Sequence, residues 1–149
     1  MKRYLPLFVL LAILMTSCSK EAIIHRKEDR LIGAWEFEKV FYKGDHALFR
    51  DNITHEYAND IIHFYPDYTA TYDDASLRSI FDGEWALIVD EDYYDGDHDL
   101  EFFVDAIFYD FINGEDFTMF GSIDRLNRNK MRLEASDYRG TYTFKLRRL

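Results

Sequence analysis

The stretch VDEDYYDGDHDLEF packs Asp90, Glu91, Asp92, Asp95, Asp97, Asp99 and Glu101 around His98. Hard oxygen donors at that density suit Ca²⁺. The spacing is not that of an EF-hand. With Gly96 at the loop's sixth position, Tyr93 falls where the third ligand belongs and Phe102 where the twelfth belongs. The stretch therefore reads as a solvated acidic loop between two strands, turning at Asp95-Gly96, and no metal site is expected. His25, His46, His55, His63 and His98 contain no pair at the i, i+4 spacing of a helical zinc site and no HExxH. His63, between Ile62 and Phe64, reads as a wall residue of a strand. Ser79, Ser122 and Ser136 lie in or near strands without a nucleophile elbow, and no carboxylate pair stands out for glycoside chemistry. The expectation is a protein that is not an enzyme and carries no cofactor.

The one thiol has a different chemistry. Lys2 and Arg3 precede the apolar run YLPLFVLLAILM, Tyr4 to Met15, and Cys18 follows Thr16 and Ser17. The run is shorter than the roughly 20 apolar residues of a spanning helix and has the flanks of a secretory signal peptide. Met15-Thr16-Ser17-Cys18 resembles the lipobox of bacterial lipoproteins. That resemblance implies cleavage before Cys18 and acylation of it by diacylglycerol and a palmitate-type chain. Each buried methylene gives about 0.8 kcal/mol of membrane affinity, and stable anchoring needs more than one chain. The resemblance thus implies residues 1–17 as leader, 18–30 as a lipidated tether with room for a short helix at its end, and the membrane as a partner through Cys18. Ser19 is not the aspartate of the inner-membrane retention rule, so the expected place is the outer membrane of a cell envelope. With Cys18 acylated, no thiol is left for a disulfide, a nucleophile or a metal.

The charge balance narrows the partners. The chain has 18 basic and 28 acidic residues, and loss of Lys2 and Arg3 with the leader makes the balance more negative. Nucleic-acid binding rests on phosphate neutralisation by Lys and Arg, so no nucleic acid is expected. A polybasic hold on anionic lipid is disfavoured for the same reason. No protein partner is legible.

The outlying feature is aromatic content, 13 Phe, 11 Tyr and 2 Trp, which suits half-buried pleated surfaces. From Leu31 the apolar period is two, the mark of strands with one buried face. In GAWEFEKVFY, Trp35, Phe37 and Phe41 share one face with Lys39 breaking it, and Glu36, Glu38, Val40 and Tyr42 share the other. Lys43 to Asp60 loses the period and reads as a loop with a helical turn or two. Two strands flank Pro66-Asp67, where Pro presets a turn φ. Ser79 to Asp90 follows, with Phe81, Trp85, Leu87 and Val89 on one face. Then come Asp99 to Phe111, a hairpin signal at Asn113-Gly114, a returning strand EDFTMFGSID, a turn at Asn127 to Asn129, KMRLEAS, a turn at Arg139-Gly140, and TYTFKLRRL. About eight strands in sequential hairpins make an all-β, antiparallel up-and-down meander, and closing into a barrel best hides its two edges. Such a barrel is just wide enough for its own side chains or one small ligand. Trp35, Phe37, Trp85, Phe102, Phe117, Tyr142 and Phe144 are the inward candidates. They either line a site for a small hydrophobic molecule or fill the barrel, leaving it an interaction module of the envelope.

LIGAWEF, with Gly33 and Trp35, resembles the G-x-W opening of lipocalin-like barrels. Together with IIHFYPDYTATY, DGEW and YTFKLRRL it is similar to the small lipocalin-like lipoprotein domains of Bacteroidetes, over Leu31 to Leu149. The resemblance implies a lipocalin-like barrel over 31–149, Trp35 packed across its closed end, an arginine of the last strand, Arg147 or Arg148, stacked on that indole, and a small apolar ligand.

Overall fold

A computed structural model describes residues 20–94, 97–114 and 116–149, with backbone alone for 92–94 and 97–99. Cys18 with its leader, and the Asp95-Gly96 turn, lie outside the described residues. Residues 20–31 form a helix, α1. Nine strands follow: β1 Gly33–Gly44, β2 Asp51–Asn52, β3 Ile61–Phe64, β4 Thr69–Asp74, β5 Ser79–Tyr94, β6 Asp97–Tyr109, β7 Phe117–Leu126, β8 Lys130–Asp137 and β9 Gly140–Arg148. A single 3₁₀ turn, Thr54–Tyr57, sits between β2 and β3. All pairings are antiparallel and run β1-β3-β4-β5-β6-β7-β8-β9, and β9 pairs back onto β1. The result is a closed eight-stranded up-and-down barrel of lipocalin-like form. The two-residue β2 lies beside Phe41 and Tyr42 of β1, beyond the Gly33–Glu36 segment that pairs with β3.

Alternation holds where the sequence shows it. Along β5, Phe81, Gly83 and Trp85 are buried between exposed Asp82, Glu84 and Ala86. On β6, Phe102, Val104, Ala106 and Phe108 face the core. The outer face of β6 is apolar too, because Phe103 stacks on Phe120 of β7 with ring centroids 5.5 Å apart.

The phase of β1 departs from a strict period of two. Phe37 pairs with Leu146, but Lys39 pairs with Lys145, so Glu38 is the extra residue of a β-bulge. Past it the faces exchange. Val40 is fully buried, and Phe41 lies outside, with the Arg50 guanidinium 4.3 Å and the Lys145 ammonium 5.5 Å from its ring centre. The expected grouping of Phe41 with Trp35 and Phe37, and of Val40 with Glu36, is therefore corrected. Lys39 was the visible sign of the slip. A second bulge at Asp124 of β7 has the same effect, with Ile123 inward before it and Leu126 inward after it.

The acidic run is corrected as well. It does join two strands as a hairpin, but the strands run further into it than expected: β5 and β6 stay paired from Asp82↔Tyr109 out to Tyr94↔Asp97. β4 covers β5 only to Glu84, and β7 covers β6 only from Phe103. The rest of the hairpin is a two-stranded ribbon projecting beyond the barrel. Helix α1 lies by it. Ile24, Lys27, Glu28 and Leu31 are among its covered positions, at the i, i+3, i+4, i+7 spacing of one helix face, with Arg30 half-buried beside them. The Lys27 ammonium sits 4.6 Å from the ring centre of Phe102, and Lys20 ion-pairs with Glu91. Asn113-Gly114 does not close a two-residue hairpin. β6 ends at Tyr109 and β7 begins at Phe117, and the Asp110 carboxylate organises the connection by accepting the Ile112 and Asn113 amides, each at 3.0 Å.

Candidate functional site: an aromatic cup at the open end of the barrel

The two ends of the barrel are built differently. At the end where β1 begins, the Trp35 indole is fully buried and donates from Nε1 to the Leu31 carbonyl at 2.7 Å. The Arg148 guanidinium lies over that indole, 4.5 Å from its ring centre. Its three nitrogens donate to the carbonyls of Arg128 (2.7 Å), Ile32 (2.6 Å) and Arg30. A cation there satisfies carbonyls that the end of α1 leaves without helical partners and complements the helix dipole. Arg148, not Arg147, stacks on the tryptophan. Arg147 points outward to Glu36 at 2.5 Å. Gly33 makes room for the guanidinium: its φ is +133°, and a Cβ would stand 2.4 Å from Arg148 Nη1. The need for glycine at this point of G-x-W comes first from that φ and then from the guanidinium.

The opposite end is open. The connections 45–60, 75–78 and 138–139, and residues 110–114 of the β6–β7 connection, surround it, as the strand registers require. A cavity of about 460 Å³ opens there. Its wall is largely aromatic: Phe37 from β1, Tyr57 from the 3₁₀ turn, Tyr72 from β4, Phe81 from β5, Phe108 from β6, Phe117 from β7 and Phe144 from β9, with Ile62 of β3 and Met119 of β7 between them. Tyr72 is the hub. It meets Phe37 edge-on at 6.3 Å, Phe117 edge-on at 5.6 Å and Phe108 at 5.7 Å. Glu56, Asp74 and Asp110 also line the cavity, with Leu77 and Thr118.

Behind this wall lies Asp60, the one buried carboxylate among the described residues, 1 % exposed. Its Oδ2 accepts the Tyr72 hydroxyl at 2.5 Å and its Oδ1 accepts the Ala75 amide at 3.0 Å. Burial pushes the Asp60 carboxyl up, against the lowering effect of the Tyr72 hydrogen bond, and Asp74 and Asp73 push it further up. Burial, and then the bond to Asp60, raise the Tyr72 phenol far above its ordinary value. Asp110, held by the Asn113 backbone and side chain, is lowered and stays ionised.

Of the residues expected to face a ligand, Phe37, Phe117 and Phe144 converge on the cup. Tyr142 stands beside it, in a side recess of about 300 Å³ that shares Tyr57, Met119 and Phe144. Trp35 is at the closed end. Trp85 is in the wall, donating to the Tyr65 carbonyl at 2.9 Å and packed on Phe64 and Tyr68. Phe102 lies at the ribbon, beside Lys27. His63 stacks on Tyr65 at 4.1 Å. Among the described residues no group of three His, Cys, Asp or Glu side chains is placed to hold a metal. Sequence reasoning missed Tyr72, Tyr57 and Asp60. Tyr57 and Asp60 sit where periodicity is lost, and Asp60 is one acid among many, so no local pattern marks it.

Comparison of the chain with protein-family models, with curated proteins and with solved structures gave no match.

Proposed function

We propose that this is a lipocalin-like binding protein of the cell envelope, held to the membrane by lipid on Cys18, whose aromatic cup takes up a small, largely apolar molecule. The observation that carries the reading is the cup itself. A barrel stoppered at one end by Trp35, Arg148 and α1 keeps about 460 Å³ open at the other, within the roughly 300–1,000 Å³ of small-molecule sites. The anchoring half draws support from Met15-Thr16-Ser17-Cys18 alone, and no helix among the described residues is long and apolar enough to cross a membrane. On this reading the anchor and the cup are at opposite ends. Lys20 is paired to the ribbon on the stoppered side, so the cup faces away from the anchoring membrane and exchanges its ligand with the aqueous space or a partner there. Mass spectrometry of native protein extracted gently from membranes tests both halves. It should report a mass with acyl chains on Cys18 and a retained small molecule. A Cys18→Ala variant processed and partitioned like the wild type overturns the anchoring, and an empty cup that accepts no apolar probe overturns the binding.

A second reading, an interaction module, is favoured by the loops around the mouth. Leu48 and Phe49 are 88 % and 83 % exposed, Phe111 and Ile112 82 % and 89 %. Apolar tips gathered around one end mark a contact surface. Cross-linking in intact cells separates this reading from the first: a protein partner caught through residues 48–49 and 111–112, with the cup empty, favours it.

A further inference from the structure

We propose that the ligand of the cup carries a positive charge: an ammonium-like head on an apolar body. The inference rests on the reading of the cup as a ligand site and adds the class of molecule. Three observations carry it. First, the carboxylates of Glu56, Asp74 and Asp110 line the cavity, and none of the lining residues is Lys, Arg or His. Among the described residues, no basic nitrogen lies within 4.0 Å of any of these three carboxylates. The three carboxylates therefore bring negative charge to the cavity lining without an ion-pair partner, and low-dielectric walls strengthen its effect inside.

Second, the walls suit a cation as well as they suit hydrocarbon. Aromatic faces carry the negative part of the ring quadrupole and attract alkylammonium groups, most strongly when several rings surround a desolvated site. Tyr72, at the centre of the ring cluster, donates its hydroxyl to the buried Asp60 carboxylate at 2.5 Å. That bond fixes the Tyr72 ring in the wall of the cavity.

Third, the cations of the barrel wall are gathered elsewhere. Lys39 of β1 pairs with Lys145 of β9, Lys145 with Arg132 of β8, and Arg132 with Arg125 of β7. This row crosses four adjacent strands on the outside of the barrel, although like charges directly opposite one another weaken a sheet. On these strands the cations point away from the cavity, whose lining is aromatic, aliphatic and acidic.

Three probes of nearly one shape test the charge. Benzyltrimethylammonium is positive, neopentylbenzene is its uncharged isostere with carbon in place of nitrogen, and phenylmethanesulfonate is negative. Binding of each to the full chain is measured by ligand-observed NMR and calorimetry at low and high salt. The cation should bind about tenfold tighter than the neutral isostere or better, the advantage should shrink with salt, and the sulfonate should bind worst. In the triple variant Glu56→Gln/Asp74→Asn/Asp110→Asn the ratio of cation to neutral-isostere affinity should fall severalfold, a ratio in which any change of the cup shared by both probes cancels. Equal binding of cation and neutral isostere, or a preference for the sulfonate, overturns the charge inference and leaves the cup as a ligand site. Failure of all three to bind overturns both.

Discussion

Replacing Arg148 by alanine removes a side chain that joins the stopper helix, the first strand and the last strand. Three charge-assisted hydrogen bonds to the carbonyls of Arg128, Ile32 and Arg30 go with it, together with the contact over Trp35. A hydrogen bond to a charged group contributes about 1.5–3 kcal/mol, and the bond to Arg128 is exposed and belongs at the bottom of that range or below. The cation–π contact adds about 0.5–2 kcal/mol, and release of the ordered side chain returns up to about 2 kcal/mol of rotamer entropy. The expected net loss is about 3–4 kcal/mol, a large part of a small domain's total of about 5–15. It corresponds to a Tm lower by about 10 °C or more. Thermal and urea unfolding followed by far-ultraviolet circular dichroism and tryptophan fluorescence measure it, and hydrogen exchange should show α1 deprotected before the barrel. The control is Arg147→Ala. Its bond to Glu36 is on the surface and is worth about 0–1 kcal/mol. If the two variants melt within about 1 kcal/mol of each other, the argument that Arg148 ties α1 to the barrel is wrong. Gly33→Ala gives a second handle. It forces a left-handed φ on alanine, at about 1–3 kcal/mol, and drives a methyl into Nη1. Its cost should be smaller in the Arg148→Ala background, a coupling that a double-mutant cycle reads directly.

Asp60→Asn should change how stability depends on pH. A carboxyl whose folded value is raised adds stability that is full below its ordinary unfolded value and is lost as pH rises through the raised one. The wild type should thus lose stability across that window and the variant should not, as urea midpoints from pH 3 upward would show. Deleting Glu38 should remove the bulge and leave Lys39 to Gly44 opposite the same residues of β9, with Val40 still inward and Phe41 outward. The shortened chain should still melt cooperatively, and loss of cooperative melting would disprove that Glu38 is the extra residue. Trp35→Ala should cost about 3–5 kcal/mol, and a wild-type melting curve for it would contradict the burial of the indole.

The strands were legible in the sequence because each presents one face to a core and one to water, so β5 alternates from Phe81 to Ala86 as its residues require. The turns at Pro66-Asp67 and Asn127 were legible because their chemistry is local. Asp67 accepts the Thr69 amide and hydroxyl, and Asn127 accepts the amides of Asn129 and Lys130. The phase of β1 beyond Glu38 was not, because a bulge depends on the partner strand's register and leaves no mark but an ill-placed lysine. The acidic run was taken for a loop because carboxylates are poor strand formers, yet a hairpin already zipped from Asp82↔Tyr109 extends through them. Of the cup, the strand aromatics Phe37, Phe117 and Phe144 could be nominated from alternation. Tyr57 and Asp60 could not, since only the chain path through 45–60 brings them to the wall.

Closure through β1 and β9 also governs the order in which this chain can be built. Every other pairing of the barrel joins neighbours along the chain, whereas Trp35 must find Arg148 and Gly44 must find Gly140. Pairings this distant are slow to form, although the added loop-closure entropy grows only weakly with length. Until they form, β1 and β9 are both open edges, each able to template pairing with another molecule. Trp35 is then unroofed as well, because its lid is the last basic side chain of the closing strand. The stopper therefore doubles as a completion signal. Helix α1 has its carbonyl partners in place only once β9 has arrived, so docking of the helix follows closure and locks it, and the chain's window of exposure to edge-to-edge aggregation ends at that step.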